Sequence, residues 1–503
     1  MRGSAQMPPH PPLPAPPVAG EHGRSILSNS LFVMLARVMQ LAVGFLLLAG
    51  VARYLPVARY GEFGYITTLA ASTMAMTYFG LQQTIIKEMA RDRTHAARHL
   101  GAGLVLRSIL CLVAILGLVL ADVLTDAPRE IMLATLLCAT GEACRSLAML
   151  SGAAFQAYER MIWEPVLTLA QSLTALVLVG LAIWLDWGFL ALFGGVTASL
   201  MLQVVLSWAV CARRFIAPAM PSAALVKSML SVAVVVGLGV FFNRNLVRVS
   251  TLIVKWMEGP EAVAWFQLPH DFILRFGLVP QAIMLASFPV FARLMLHDRA
   301  GAERLYQLFF RYTLAWGPGV SLALAFFAED LILLCFGARY VPGVPVFQWM
   351  AWAITPLALD LLHMNILVAM DKQKTATLYT GVTLVLCAGG AWLAVATLGW
   401  ESAAWVALAS YVLLAGLSTW CTARALVAPR PGRLALLLPL ALACAWGVLH
   451  VVAPVSKVLA FLAGAATYCG LLVGSGALPW QEIKQLRTLR RARPPIRGAA
   501  SND

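Results

Sequence analysis

The sequence predicts an all-α protein that crosses a membrane about fourteen times. Its 503 residues are 60% hydrophobic and only 12% charged, with a mean hydropathy of +0.80. Soluble domains carry roughly 25% charged residues. Apolar runs of about 20 residues, the length that a helix needs to cross a bilayer, recur along the whole chain. The chain is therefore predicted to be a polytopic membrane protein with lipid as its main solvent.

The apolar runs number fourteen, and this even count places both termini on one side of the membrane. Their approximate centres are residues 39, 73, 110, 141, 174, 199, 242, 276, 316, 355, 386, 413, 442 and 466. The distribution of lysine and arginine between the loops indicates on which side of the membrane the termini lie. With a cytoplasmic N-terminus, sixteen inner-loop cations and eight tail cations lie inside, against five outside. We therefore expect both termini in the cytoplasm.

A weak internal repeat predicts two lobes of six helices. The segments TIIKEMARDRTHA (84–96) and ASFPVFARLMLHDRA (286–300) each carry an Ala-Arg pair, offset by 202 residues, at the cytoplasmic end of a span. This spacing predicts an N-lobe at 25–220 and a C-lobe at 225–428, with two further helices at 433–477. Six spans per repeat relate the lobes by an axis along the membrane normal, and substrate is expected between them.

Both ends of the chain are predicted to be cytoplasmic tails. Residues 1–24 contain seven prolines between Pro8 and Pro17 and no apolar stretch, so they predict a disordered tail and not a signal peptide. An inert tail is favoured over a partner-binding one. Residues 480–503 form a basic tail. The nine cysteines show no C-x-x-C pair, which predicts neither a disulfide framework nor a metal site.

The span at 227–257 is unusual because it carries Arg244, Arg248 and Lys255. In a continuous helix these cations and Thr251 fall within roughly 60° of one face. An arginine at mid-bilayer costs about 2.5–3.5 kcal/mol on insertion scales. The stripe therefore predicts a wet cavity through which something anionic passes. The alternative is that the arginines lie near the helix end and reach the headgroups.

Other charges lie inside predicted spans. Arg37 stands in the first span without an acidic neighbour in its helix. Glu142 and Arg145 are three residues apart, and Asp271 and Arg275 are four apart, so each pair shares a helix face. Such pairs either neutralise themselves as internal ion pairs or contribute to a polar cavity, and the pattern does not decide between these.

Asp360 and His363 lie three residues apart in the tenth span. A carboxylate and an imidazole in a membrane suit proton transfer or a coupling ion, and a structural hydrogen-bonded pair is the alternative. Arg107 and Arg311 lie nearer span ends, which predicts interfacial positions. The candidates for ion or proton coupling are Glu142, Asp271, Asp360 and His363.

The sequence argues against enzymatic and nucleic-acid-binding functions. No loop between spans exceeds roughly 20 residues, so no soluble domain is embedded in the bundle. The chain has no P-loop, no H-E-x-x-H and no G-x-S-x-G. Its net charge of +14 is spread over short loops and does not indicate nucleic-acid binding. We expect neither catalysis nor a cofactor.

Several motifs resemble one family of membrane proteins. V-A-R-Y-L-P-V-A-R-Y-G-E-F-G-Y (51–65) is followed by F-G-L-Q-Q-T-I-I-K-E-M-A-R (79–91). Further matches are F-Q-A-Y-E-R-M (155–161), F-P-V-F-A-R (288–293), C-F-G-A-R-Y (335–340) and W-E-S-A-A (400–404). Together they resemble the polysaccharide-transport branch, the O-antigen flippase type, of the multidrug/oligosaccharidyl-lipid/polysaccharide superfamily, over roughly residues 25–480. One departure is N-R-N-L-V-R (243–248), which lacks the acidic residue that family members usually carry there.

The resemblance implies two six-helix lobes around a central cavity and an alternating-access mechanism. It also implies export of a polyprenyl-pyrophosphate-linked oligosaccharide across the bacterial cytoplasmic (inner) membrane. The implied partners are this lipid-linked oligosaccharide, membrane lipids and polysaccharide polymerase or assembly proteins. The candidates for holding the pyrophosphate are Arg37, Arg145, Arg244, Arg248, Lys255 and Arg275.

Other functions stay open at this stage. A flippase for the peptidoglycan precursor would use the same chemistry. A drug or ion antiporter of the same superfamily would need an acidic cavity, whereas the predicted one is cationic. A membrane enzyme that acts on lipid-linked sugars and a scaffold of a polymer-assembly complex are less favoured, because the acid/base groups are missing and a scaffold needs no buried arginines.

Overall fold

The computed structural model describes residues 21–476, apart from 79–81, 83–84, 87, 90–92, 159, 161, 278–290, 292–293, 296–297 and 371. The regular elements of this part are all helices. The first are α1 (Glu21–Tyr54), α2 (Val57–Met74), α3 (Ala96–Leu124), α4 (Arg129–Ala157), α5 (Trp163–Trp184) and α6 (Phe189–Arg214). Then come α7 (Ala223–Leu246), α8 (Val249–Glu258), α9 (Pro260–Phe276), α10 (Arg299–Phe326), α11 (Ala328–Cys335) and α12 (Val344–Ala351). The last are α13 (Ile354–Ala369), α14 (Gln373–Leu398), α15 (Ser402–Ala425), α16 (Leu434–Val452) and α17 (Lys457–Gly474). Short 3₁₀ helices stand at Ala75–Thr77 and Ala338–Gly343.

The predicted all-α membrane fold is confirmed. Within the described ranges, nine helices are long and apolar enough to cross a bilayer. Two bent pairs raise this number to eleven: α10 with α11, bent by 66°, and Ala338–Ala351 with α13, bent by 43°. Helices α2, α7 with α8, and α9 occupy the predicted second, seventh and eighth spans. The total of fourteen spans stays a prediction.

The predicted tails fall largely outside the described residues. Helix α1 begins at Glu21, four residues before the end of the tail predicted at 1–24, and the extent of that tail stays a prediction. Residues 1–20 and 477–503, and the repeated Ala-Arg pairs at 90–91 and 292–293, are not among the described residues. The disordered and basic tails therefore stay predictions.

The helices pack in two groups and an additional hairpin. In the first group α6 lies between α4 and α5, α5 packs on α1, and α4 contacts α2 and α3. In the second group α14 packs on α7 and α15, while α13 lies between α10 and α15. The hairpin α16–α17 packs on α10, where the Tyr468 hydroxyl donates to the Ala315 carbonyl at 2.6 Å. The exact lobe boundaries at 25–220 and 225–428 stay predictions.

The two groups meet in tight backbone contact where α1 ends and α2 begins. A Cβ atom built on Gly61 of α2 would overlap the carbonyl oxygen of Pro260 at the start of α9. One turn further along α2, a Cβ atom on Gly64 would overlap the amide oxygen of Gln267. Only glycine lets the two helices approach this closely. We call this end of the bundle the sealed end.

Hydrogen bonds to helix termini also hold the two helix groups together at the sealed end. The bonds that cross it are Arg53 Nε to Cys335 O (3.0 Å), Arg339 Nη1 to Leu55 O (3.0 Å) and Tyr340 Oη to Ala52 O (2.9 Å). Each arginine thus donates to a carbonyl at the C-terminus of a helix in the opposite group. Such carbonyls have no partner within their own helix, so a guanidinium there satisfies them.

We predict that Gly61→Ala weakens the sealed end. The added Cβ meets the rigid Pro260 carbonyl, so α2 and α9 must separate. The expected results are a lower Tm in detergent and faster maleimide labelling of Cys335, measured by peptide mass spectrometry. The matched control is Gly180→Ala in α5, where nothing lies within 4 Å of the added atom. Alanine should stabilise that helix by about 1 kcal/mol. Equal labelling in both variants would contradict the prediction.

Candidate functional site

The cationic span is broken between its two arginines. Helix α7 ends at Leu246 and α8 begins at Val249, so the prediction of one continuous helix over 227–257 is wrong. Arg248 stands at the break, where its Nη1 donates to the Arg244 carbonyl at 3.3 Å. The guanidinium thereby satisfies a carbonyl in the last turn of α7.

The Asn245 side chain helps to explain why α7 ends at Leu246. Asn245 Nδ2 donates to the carbonyl of Phe241, four residues earlier, at 2.9 Å. It also reaches the carbonyl of Ser72 in α2 at 3.5 Å. Short polar side chains that bond to carbonyls compete with the helical hydrogen-bond ladder. The same contact ties α7 to the first helix group.

Tyr78 lies between two arginines from different helix groups. The guanidinium carbon of Arg244 is 4.2 Å from the centroid of the Tyr78 ring, and that of Arg107 is 5.7 Å from it. Arg107 donates to the carbonyls of Ser146 at 2.8 Å and of Tyr78 at 3.3 Å. Cation–π contacts of this kind are worth about 0.5–2 kcal/mol.

Arg107 is fully buried among the helices, with 0% exposure. The exposed Nε of Arg311 donates to the Arg430 carbonyl at 3.0 Å. The interfacial depth expected of both residues stays a prediction.

Glu142 and Arg145 form an ion pair on α4, with Nε and Oε1 3.2 Å apart. The side chain of Arg145 is 44% accessible and that of Glu142 is 18% accessible. The pair therefore keeps surface that a ligand could contact. Glu142 is close enough to interact electrostatically with Tyr78 and Arg248.

These residues gather in one cluster between the two helix groups. We define the arginine cluster as Tyr78, Arg107, Glu142, Arg145, Arg244 and Arg248. It contains four guanidinium groups and one carboxylate. Among its buried atoms, Tyr78 Oη and Arg107 Nε have no hydrogen-bond partner, whereas Arg145 Nε faces the Glu142 carboxylate. A site with excess donors and excess positive charge is suited to an anion that brings several acceptor oxygens.

Arg275 points away from Asp271. Its Nη1 would be 2.6 Å from a Cβ atom on Gly44, and its guanidinium carbon is 5.6 Å from the Phe45 ring centroid. Asp271 instead accepts a hydrogen bond from Gln267 Nε2 at 3.2 Å. The ion pairs of the described residues do not include Asp271 with Arg275, so of the two open alternatives the internal ion pair is not formed here. Gly44 of α1 has no Cβ atom and therefore leaves the space that the Arg275 guanidinium occupies.

Asp271 is within electrostatic reach of Arg248, which places it beside the arginine cluster. Lys255 lies elsewhere, with its ammonium 5.7 Å from the centroid of the Tyr65 ring. Arg37 is half-buried on α1. The structure therefore brings Arg145, Arg244 and Arg248 together and leaves Arg37, Lys255 and Arg275 outside the cluster.

Asp360 and His363 form a separate buried polar site in the second helix group. His363 lies 3.2 Å from the Tyr306 hydroxyl through Nε2 and 3.3 Å from the Ser418 hydroxyl through Nδ1. Asp360 Oδ1 is buried without a hydrogen-bond partner. Within the described residues no three His, Cys, Asp or Glu side chains are grouped as metal ligands.

Comparison with known sequences gives one family. A model of the family described as polysaccharide biosynthesis protein matches residues 26–295. A search of curated proteins finds no significant match.

Solved structures of one superfamily share the fold. An inward-facing multidrug resistance MATE family transporter of the MOP superfamily is 15% identical, with a TM-score of 0.62, over 79% of this chain and 98% of that one. The lipid II flippase MurJ, in an inward closed conformation, is 11% identical, with a TM-score of 0.67, over 89% and 99%. A MOP superfamily transporter from Pyrococcus furiosus, described by a binding pocket of reverse polarity, is 14% identical, with a TM-score of 0.59, over 79% and 95%.

We predict that the Tyr78 ring positions Arg244 for anion binding. Tyr78→Leu removes the ring and should weaken binding of inorganic pyrophosphate about 2- to 30-fold, from the energy of a cation–π contact. Tyr78→Phe keeps the ring and should retain most of the affinity. Titration calorimetry of the purified protein measures both. The matched control is Tyr65→Leu, which removes the ring beside Lys255. Equal weakening by both leucine variants would contradict the role of the cluster.

Proposed function

Since this chain belongs to the polysaccharide biosynthesis protein family, we propose that it is a flippase for a polyprenyl-pyrophosphate-linked oligosaccharide. The chain is a multi-pass membrane transporter or flippase of the MOP superfamily, as its family and its fold indicate. The single observation that supports the substrate is the arginine cluster between the two helix groups. We place the protein in the bacterial inner membrane with both termini cytoplasmic, where it serves surface polysaccharide assembly.

The chemistry of the cluster suits a pyrophosphate. The diester carries two negative charges and several acceptor oxygens, and guanidinium groups bind such oxygens in pairs. The unpartnered atoms Arg107 Nε and Tyr78 Oη are donors that such a ligand would satisfy. In this proposal the headgroup enters the cavity while the polyprenyl tail stays in the bilayer between helices. Arg37, Lys255 and Arg275 act, if they contact the headgroup, at other stages of its passage.

The position of the arginine cluster, where the two helix groups meet, supports the proposed alternating access. Tyr78, Arg107 and Arg145 come from the first group, whereas Arg244 and Arg248 come from the second. In the proposed cycle the sealed end is the outer end, the cytoplasmic side admits the headgroup, and rocking of two lobes at 25–220 and 225–428 then reverses the opening. The hairpin within 433–477 and the two tails at 1–24 and 480–503 lie outside this cycle.

The membrane potential is a sufficient driving force in principle. With the inside negative, each net negative charge that moves outward gains about 2.3 kcal/mol per 100 mV. A dianionic headgroup therefore needs no ATP, provided that cluster cations do not move with it. The proposed sites for any coupled ion or proton are Glu142 in the cluster, Asp271 within electrostatic reach of Arg248, and Asp360 with His363 in the second group.

A second candidate is a peptidoglycan-precursor flippase. It is favoured by the fold shared with the lipid II flippase MurJ over 89% of this chain, and it would use the same pyrophosphate chemistry. A cation-exporting antiporter is disfavoured, because the cluster holds four arginines and one glutamate. The proposed partners are the lipid-linked substrate, membrane lipids and polysaccharide polymerase or assembly proteins.

We predict that Arg248→Ala impairs flipping in cells depleted of the native protein. Loss of a charge-assisted hydrogen bond of about 1.5–3 kcal/mol should weaken headgroup binding roughly 10- to 100-fold. Mass spectrometry of polyprenyl-linked lipids should then show one pyrophosphate-linked oligosaccharide accumulating, and its mass separates a polysaccharide repeat unit from the peptidoglycan precursor.

Two further variants sharpen this test. Arg248→Lys restores function if a point charge suffices and fails if a bidentate guanidinium is needed. Arg304→Ala, at an arginine whose side chain is 70% exposed, serves as the control and should behave as the native protein. Normal lipid profiles in Arg248→Ala would remove this residue from the binding site.

We predict that coupling through the second helix group can be detected from the pH dependence of transport. Asp360→Asn and His363→Gln remove the titrating groups while keeping polar side chains of similar size. If a proton is coupled at this site, transport in proteoliposomes should lose its dependence on the pH gradient. An unchanged pH profile in both variants would eliminate Asp360 and His363 as coupling residues and leave the membrane potential as the driving force.

A further inference from the structure

A second polar group lies on the same side of α4 as Arg145, beyond the arginine cluster. Arg145, Gly152 and Gln156 fall within about 40° of one helix face, because residues 7 and 11 positions apart complete whole turns. At 1.5 Å per residue, Gly152 and Gln156 lie about 10 Å and about 16 Å along the helix from Arg145. A ligand held by Arg145 at one end would therefore extend along this face.

Three helical segments meet at this place. Gln156 Nε2 donates to Glu164 Oε2 in the first turn of α5 at 3.0 Å. A Cβ atom on Gly152 would lie 3.6 Å from the same Glu164 oxygen and 3.8 Å from Gln82 Nε2. The side chains of Gln82, Gln156 and Glu164 are all half-buried. We call Gln82, Gly152, Gln156 and Glu164 the amide ledge.

The amide ledge differs chemically from the arginine cluster. Its two amides supply donors and acceptors, and its carboxylate supplies acceptors, so the set matches groups that both donate and accept, as hydroxyls do. The ion pairs within the described ranges leave Glu164 without a cation, and a carboxylate repels phosphate. Hydroxyl-rich neutral groups therefore suit the ledge better than a second anion.

Polar side chains between membrane helices often serve only to hold the helices together. Two pairs between α5 and α6 fit that description: Gln171 donates to Ser199 at 2.9 Å, and Gln203 donates to Thr168 at 3.4 Å. Each of these amides has a partner on the facing helix, as Gln156 has in Glu164. The ledge differs because a third segment, through Gln82, reaches the same glycine, where room for about one methyl group remains.

The dipole of α5 accounts for a carboxylate in its first turn, because the N-terminus of a helix favours negative charge. It does not account for Gln156, which bonds to Glu164, or for Gln82, which lies beside Gly152. Convergence of three segments beside a glycine, on the same face as Arg145, is the observation that indicates a binding surface.

We propose that the amide ledge binds the first sugar units of the substrate whose pyrophosphate occupies the arginine cluster. This inference rests on the proposed function and adds the part of the site that distinguishes a sugar-bearing lipid from a bare one. Amide and carboxylate groups hydrogen-bond to sugar hydroxyls, while the guanidinium groups hold the headgroup. The order along α4 matches the order of pyrophosphate and sugar in the lipid.

The test compares two probes on the purified full-length protein. One is farnesyl pyrophosphate, which carries the headgroup without sugar. The other is the lipid-linked oligosaccharide extracted from cells depleted of this protein. The native protein should bind the second probe at least about 10-fold more tightly, by the sum of a few net hydrogen bonds. Gln156→Ala and Glu164→Gln should each weaken only the sugar-bearing probe, about 5- to 10-fold, and Gly152→Leu, which fills the gap, should do the same.

The control is Gln203→Ala, which removes an amide of the same type from the α5–α6 contact and should leave both affinities unchanged. Equal affinity of the native protein for both probes would overturn the ledge while leaving the flippase intact. The same holds if Gln156→Ala weakens both probes alike or Gln203→Ala matches its effect. Failure of the native protein to bind farnesyl pyrophosphate, or absence of any accumulated lipid, would instead overturn the proposed function and the ledge with it.

Discussion

A guanidinium group inside a bilayer must have acceptors within the protein, and the centre of this bundle is organised around that requirement. The Arg107 and Arg248 groups find carbonyls after the 3₁₀ turn at Ala75–Thr77 and at the break between α7 and α8. Irregular backbone is tolerated at membrane depth only where it is enclosed by protein or lines a wet cavity. The breaks and the arginines therefore depend on each other: the breaks expose carbonyls, and the arginines satisfy them.

Most of the fold could be predicted from hydropathy, because a lipid environment forces apolar runs of spanning length into helices. Arg244 and Arg248 could be found as well, since charged residues stand out in such runs. The burial of Arg107 was not predicted, because hydropathy does not tell which face of a helix is enclosed by protein. Tyr78 carries no comparable signal, because an aromatic residue is common at every depth. The pattern left open whether Asp271 pairs with Arg275, because spacing fixes a helix face and not the direction of a long side chain, and Gly44 leaves room for the guanidinium to reach α1.

In the proposed function, the two polar regions would divide the recognition of one molecule by charge. The arginine cluster spans both helix groups, so a bound anion would screen repulsion between guanidinium groups that belong to opposite groups and favour their approach. The amide ledge belongs to the first helix group alone, so a neutral ligand bound there would move together with that group. Headgroup binding would then be tied to the relative position of the groups, whereas sugar binding would not. The seal formed by Gly61 and Pro260 must open before such a molecule can leave on that side.

The hairpin α16–α17 has a consequence for biogenesis. It joins the bundle mainly through α10, where Tyr468 bonds to the Ala315 carbonyl and its ring lies against Gly319. None of the helices that supply the arginine cluster packs on it within the described part of the chain. The ribosome synthesises this hairpin after all of those helices. The helices that carry the arginine cluster can thus assemble in the membrane while α16 and α17 are still being translated. Docking of the hairpin then becomes a late step. Until it occurs, the hydrophobic face of α10 stays unpaired, and quality-control proteases would recognise it.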